Sequence, residues 1–220
     1  METFLKIPEH LILPPGITRE TRLESVSRTF APLLQGTVLD VGCDERYLKQ
    51  FLSRDVKYIG VDLWGKPDVV VNLEHGLPFK ERSFDTVVCF DVLEHLENIH
   101  IIFDELCRVT RNYVIIGLPN VASLKFRLEF LLQGRLPTGK YGLPTMRPKD
   151  RHRWLFSLDE AHQFVHTRGK EQGMAVLSEV MVYVKPETIL GMLYRLLGRL
   201  LGQKYAKLFS FSYWVVLQKA

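Results

Sequence analysis

Apolar residues recur at three- to four-residue spacing through residues 19–34, at Leu23, Val26, Phe30 and Leu33. That period predicts a helix, which Gly36 ends. The pattern then changes. TVLDV (37–41) is a short apolar, β-branched run and predicts a strand. A helix follows around 46–54, then strands over 56–63 and 67–73. Gly76, Pro78 and Ser83 mark turns. FDTVVCFDVL (84–93) begins as a buried strand, 97–110 has helical spacing, and 112–120 is a strand that stops at Pro119. Strand and helix thus alternate from 37 to 120, which predicts a parallel sheet with helices on both faces.

Beyond 120 the rhythm loosens. Residues 121–134 read as a helix stopped by Gly134, and 135–154 as a cationic loop. Ser157 and Glu160 form a capping box that starts another helix. A strand over 174–184, an amphipathic helical insert over 187–209 and a final strand over 211–220 complete the chain. A helix, a strand, a long connection and a last strand suit an antiparallel closure of the sheet. Residues 1–18 hold Pro8, Pro14, Pro15 and Gly16 without a long period, and predict irregular chain.

Composition narrows the class. The 220 residues are 46% hydrophobic and 25% charged, enough for one α/β core. A net charge of +4 is too weak to imply nucleic acid, and no basic stripe with interleaved aromatics occurs. Cys43, Cys89 and Cys107 lack metal-ligand or paired spacing. They predict buried thiols in a reducing cytoplasm, with no disulfide framework. The start of the chain has no signal-peptide pattern, and no run is apolar enough to span a bilayer.

The candidate chemistry sits at strand ends, where open α/β sheets bind ligands. The first strand of the alternating region ends at Asp40-Val41-Gly42, and the next at Asp62, 20 residues after Gly42. A carboxylate at that offset can accept hydrogen bonds from ribose hydroxyls, so the spacing alone points to a nucleoside ligand. A nicotinamide dinucleotide fits less well, because no third glycine follows Gly42 at the required place.

Several segments together resemble class I S-adenosylmethionine-dependent methyltransferases, of the small bacterial kind. They are VLDVGCDERYLKQFL, GVDL, VVNLEHGLPFKERSFDTVVCFDVLEHLEN and RNYVIIGLPN, in the family's order over residues 36–120. LPNVASLKFRLEFLLQGRLP and HRWLFSLDE resemble a bacterial subset more weakly. The resemblance implies a Rossmann-like three-layer sandwich, with a mostly parallel seven-stranded sheet and an antiparallel C-terminal strand. Residues 1–35 would cover the site, and 36–220 would form the domain, with inserts at 120–156 and 185–210. Asp40 would lie near the methionine amino group, and Gly42 would admit the cofactor to the backbone. Asp62 would bind the ribose, Leu63 would flank the adenine, and Asn72 would contact its amino group beside Leu73. Phe90 and Asp91 would line the methionine side. One departure stands out: the family's G-x-G-x-G reads Gly42-Cys43-Asp44-Glu45-Arg46.

The sulfonium methyl is already activated, so orientation supplies most of the acceleration and no metal is expected. His95 in VLEHLE is the candidate base, with a loop-orienting role as the alternative. His152 and Arg153 in the cationic loop are candidate acceptor contacts, with a solvated loop as the alternative. The expected acceptor is a small molecule or saccharide-linked group. A catalytically inactive scaffold is the competing reading, because the loop lacks two glycines. The amphipathic residues 187–209 predict packing or a homodimer contact, or peripheral binding to the inner face of a membrane.

Overall fold

The computed structural model describes residues 7–136, 140–146, 148, 150–185 and 203–220. Eight strands form one sheet: β1 His10–Leu13, β2 Thr37–Val41, β3 Lys57–Asp62, β4 Val69–Val70, β5 Phe84–Phe90, β6 Thr110–Pro119, β7 Met174–Val184 and β8 Ser212–Lys219. Their order is β1-β7-β8-β6-β5-β2-β3-β4. Among the described strands only β8 runs against its neighbours, pairing antiparallel with both β6 and β7. The helices are α1 Arg19–Thr29, α2 Tyr47–Gln50, α3 Ile99–Val109, α4 Leu124–Gln133, α5 Leu158–Glu171 and α6 Gln203–Phe209.

The mostly parallel sheet with an antiparallel last strand is as expected, but it has eight strands rather than seven. The extra one, β1, lies in the N-terminal stretch expected to be irregular, and pairs in parallel with β7 from His10↔Met181 to Leu13↔Val184. The strand expected over 67–73 shrinks to Val69–Val70, an exposed edge, and Leu73–His75 form a 3-10 turn. The first helix stops at Thr29, because Pro32 opens a separate 3-10 turn at Ala31–Leu33. Most of the amphipathic insert, residues 186–202, lies outside the described residues, so the packing, dimer and membrane expectations for it do too. No helix among the described residues is long and apolar enough to cross a membrane.

Successive residues of a strand face opposite sides, and both faces here are buried. Leu39, Val41, Val87 and Cys89 pack with Ile102, Phe103 and Leu106 of α3 and Val165 of α5. Val38 and Val88 pack on the other face with Val26 and Phe30, around Trp214. Each fully buried aliphatic or aromatic side chain contributes about 1.5–3 kcal/mol. Both layers hold β2 and β5 rigidly side by side. The chain leaves β2 outward to β3 and β4 and then crosses back to β5 on the other side of β2, so a crevice opens at the carboxyl ends of β2 and β5.

Candidate functional site

Gly42 follows β2 at that crevice with φ +77°. A Cβ there would lie 2.1 Å from Val92 Cγ2, so only glycine lets the chain turn beneath the loop after β5. The amides of Gly42 and Cys43 both donate to Val61 O, at 2.8 and 3.1 Å. The next residues hold the path that glycines would otherwise ease. Asp44 and Arg46 adopt left-handed conformations, with φ +49° and +61°. Arg46 pairs with Asp68, whose Oδ2 accepts from the Gly60 amide at 2.9 Å. The bulky side chain therefore has a fixed partner in the β3–β4 connection.

Asp62, at the end of β3, closes the loop from the other side. Its Oδ2 accepts from the Asp44 amide at 2.9 Å, and its Oδ1 from Leu63 and Trp64 at 2.7 and 3.1 Å. An ionised carboxylate has about four acceptor positions, so one stays available for a ribose hydroxyl. Leu63 and Trp64 beside it are exposed. Asn72 is exposed and caps the 3-10 turn by accepting from the Glu74 amide at 3.1 Å, whereas Leu73 is buried in the core.

Asp40 is only 3% exposed and accepts a hydrogen bond from the Tyr58 hydroxyl. Burial raises its pKa from 3.8 to about 6, against the lowering effect of Tyr58 and Arg19. Burial and the charge of Asp40 also push the Cys43 thiol up to about 12, so this neighbour is no nucleophile at neutral pH. Phe90, expected on the methionine side, packs its ring inward. It is buried, edge-on to Trp214 at 5.3 Å, in contact with Gly117.

Helix α1 supplies two cations that sequence reasoning passed over. Thr18 caps it, with its Oγ1 accepting from the Thr21 amide. Residues three apart share a helix face, and Arg19 and Arg22 both turn to the crevice. Arg19 donates to Gly42 O, and Arg22 pairs with Asp91 at 2.9 Å. The RETR spacing was the available signal.

A second set of residues gathers just past β5. Glu94 and His95 lie in a 3-10 turn, Leu93–His95. The 150–154 loop docks on it: Arg153 and Trp154 donate their amides to Glu94 O at 2.8 and 3.2 Å. Arg153 also reaches His95 O and Glu97, while the Trp154 indole donates to Leu96 O. This docking brings His152 onto His95, with ring centroids 4.4 Å apart, and onto Tyr141 at 4.8 Å. His95 Nδ1 sits 2.6 Å from Asp150 Oδ1, and Lys140 Nζ is 2.8 Å from Asp150 Oδ2.

Burial disfavours a charged His95, yet the Asp150 hydrogen bond and the Glu94 and Asp150 charges outweigh it and raise its pKa. Burial, then the charge of His95, drives His152 the other way, to about 4. Burial and the nearby Asp91 push Glu94 well above the usual carboxylate range. The same loop walls a neighbouring apolar cavity of about 220 Å³, lined by Ile99, Leu118, Trp154, Phe156 and Phe164 among others. His95, His152 and Arg153, read separately from the sequence, lie together here, with Glu94 beside His95 and Asp150 joining them from the docked loop.

Comparisons with known proteins bear on the family and the fold. A family model described as a methyltransferase domain matches residues 18–171. No curated protein matches the sequence. Among solved structures, an S-adenosylmethionine-dependent methyltransferase from Archaeoglobus fulgidus is similar, with 17% identity and a TM-score of 0.58. The match covers 91% of this chain and 94% of that one. A magnesium protoporphyrin IX methyltransferase from Synechocystis PCC 6803, with bound S-adenosylhomocysteine, is 15% identical with a TM-score of 0.58, over 91% of this chain and 83% of that one. A methyltransferase from Clostridium acetobutylicum is 11% identical with a TM-score of 0.58, over 93% of each chain. The likeness to these structures concerns the fold, and the family model carries the assignment. The chain belongs to the methyltransferase-domain family and is a class I, S-adenosylmethionine-dependent methyltransferase in fold.

Proposed function

We propose that the chain transfers a methyl group from S-adenosylmethionine to a small-molecule or saccharide-linked acceptor. The observation that carries this reading is the gathering of groups at the strand ends: Arg19 on Gly42 O, Asp40 and Asp62 at the ends of β2 and β3, and the Glu94–His95–His152 group past β5. The buried Asp40 faces the cationic end of a zwitterion, and Arg19 its carboxylate. Asp62 takes the ribose through its remaining acceptor position, with Gly42 beneath the chain of the ligand. Leu63 and Asn72 border the adenine, with the Leu73 backbone behind them. Asp91 is held by Arg22, which fixes the loop that faces the methionine side.

When bound, S-adenosylmethionine supplies an already activated methyl group. The protein's task is then to align an acceptor atom and exclude water. His95 is oriented by Asp150 through Nδ1, so its Nε2 faces Glu94 and is placed to take the acceptor's proton. His152 and Arg153 shape the acceptor side. Helix α1, from the N-terminal segment, covers the site. A reducing cytoplasm suits the three cysteines, all buried and unpaired.

The test is incubation with methyl-labelled S-adenosylmethionine and a polar metabolite extract. Label is expected to appear in a small acceptor with the wild-type chain and not with Asp62→Ala. Tight binding of the labelled cofactor without any consumption across such extracts would contradict transfer.

A further inference from the structure

Glu94 is 1% exposed and His152 6% exposed, yet Glu94 Oε2 and His152 Nδ1 have no hydrogen-bond partner among the described residues. Buried polar atoms are normally satisfied, and a buried carboxylate without a partner costs several kcal/mol unless something compensates it. These two atoms belong to one group. Glu94, His95 and His152 each offer a donor atom, and those atoms lie within 4.8 Å of one another.

We propose that Glu94, His95 and His152 form a binding site for one divalent transition-metal ion of the Mn²⁺-to-Zn²⁺ series. Two imidazoles and one carboxylate select such ions over Mg²⁺ or Ca²⁺, which prefer all-oxygen sites. Glu94 Oε1 and His95 Nε2 are 3.8 Å apart. Two ligands on one such ion, each at about 2.0–2.2 Å, stand roughly 3–3.5 Å apart, so a small contraction suffices. His95 also carries the outer partner that metal-bound imidazoles need. Asp150 holds its Nδ1, which leaves Nε2 as the lone-pair donor, and Lys140 in turn holds Asp150. Three protein ligands leave coordination positions open toward the crevice.

A second group, His162, His166 and Glu179, also has donor atoms within 4.8 Å. It differs in kind. His162 is exposed, and Glu179 already accepts from Tyr213 and contacts His166. It carries no orphaned buried atom among the described residues. The metal site itself does not depend on the cofactor. Its use does rest on the acceptor reading above: an oxygen of the acceptor would occupy an open position, where the ion lowers its pKa. The acceptor class is then a hydroxyl compound rather than an amine, and the ion takes over the task assigned to the free imidazole.

The test uses the full chain, stripped with a chelator and titrated with Co²⁺, without cofactor. One ion per chain is expected, with the visible absorption of a low-coordinate nitrogen–oxygen site, displaced by Zn²⁺. Asp150→Asn, an exposed change that spares the fold, is expected to weaken binding by about 10- to 100-fold. His152→Ala is expected to weaken it further. The double variant His162→Asn with His166→Asn is expected to bind as wild type. A spectrum unchanged from aqueous Co²⁺, or loss of binding only in the double variant, would overturn the proposal. Failure of methyl transfer with Co²⁺ still bound would count against the acceptor reading alone.

Discussion

The Tyr58 hydroxyl donates a 2.7 Å hydrogen bond to Asp40 Oδ2, in the middle of a buried, mostly apolar sheet face. Tyr58 lies one strand over and two residues upstream of Gly60, the register partner of Asp40. The bond keeps an acidic side chain at the root of the crevice, where an aliphatic one would pack more cheaply. Such a residue is a cost to the free protein and an asset when a cationic ligand arrives.

That cost sets a pH dependence. The carboxyl of Asp40 holds its proton to about pH 6 in the folded chain, against 3.8 when free. Between those values the folded chain binds more protons, so stability falls as pH rises through this window. The contribution lost is about 3 kcal/mol once the pH passes 6. Urea unfolding between pH 4.5 and 7.5 checks this: Asp40→Asn is expected to flatten the slope and to be the more stable protein at pH 7. Its affinity for S-adenosylhomocysteine is expected to fall, because the amide offers the ammonium no charge.

Arg19 divides the ligand into two ends. Its guanidinium holds Gly42 O beside Asp40 and is assigned to the amino-acid carboxylate. Arg19→Met is expected to weaken S-adenosylhomocysteine by about 10- to 100-fold, the range for a lost charged hydrogen bond. Adenosine, which lacks that carboxylate, is expected to bind the variant as it binds wild type. Competition titrations with both ligands check the difference.

The loops that follow Asp40 and Asp62 yield a pair of contrasting outcomes. Gly65 has φ +78°, and a Cβ there would lie 2.4 Å from Asp44 O, a backbone atom that cannot swing away. Gly65→Ala is expected to cost more than about 1 kcal/mol and to weaken cofactor binding. Arg46→Gly relieves a left-handed side chain but loses the pair with Asp68. Those effects are about 1 kcal/mol each and oppose one another, so its urea midpoint is expected to stay near wild type.

Local signals made much of this legible in the sequence. β2, β3, β5 and β6 have apolar runs long enough to be read alone, and Asp40, Gly42 and Asp62 follow from the ends of the first two. β1 was hidden because its four residues are held by β7, about 170 positions away, among prolines that locally argue for irregular chain. Phe90 sits at a strand end, and the room that Gly117 leaves for its ring is set by the neighbouring strand, which the local pattern does not show. Glu94 reads as a loop residue until the 150–154 loop covers it. Asp150 and Arg19 matter only through contacts 55 and 23 residues distant, which no local pattern encodes.

Titration calorimetry with S-adenosylhomocysteine, on the wild-type chain and on Asp62→Ala at pH 7.5, addresses the crevice most directly. One ligand per wild-type chain is predicted, with binding reduced by at least about 10-fold in the variant, as expected for a hydrogen bond to a charged group. No heat with the wild-type chain at millimolar ligand, or equal affinity in the two proteins, would contradict the account.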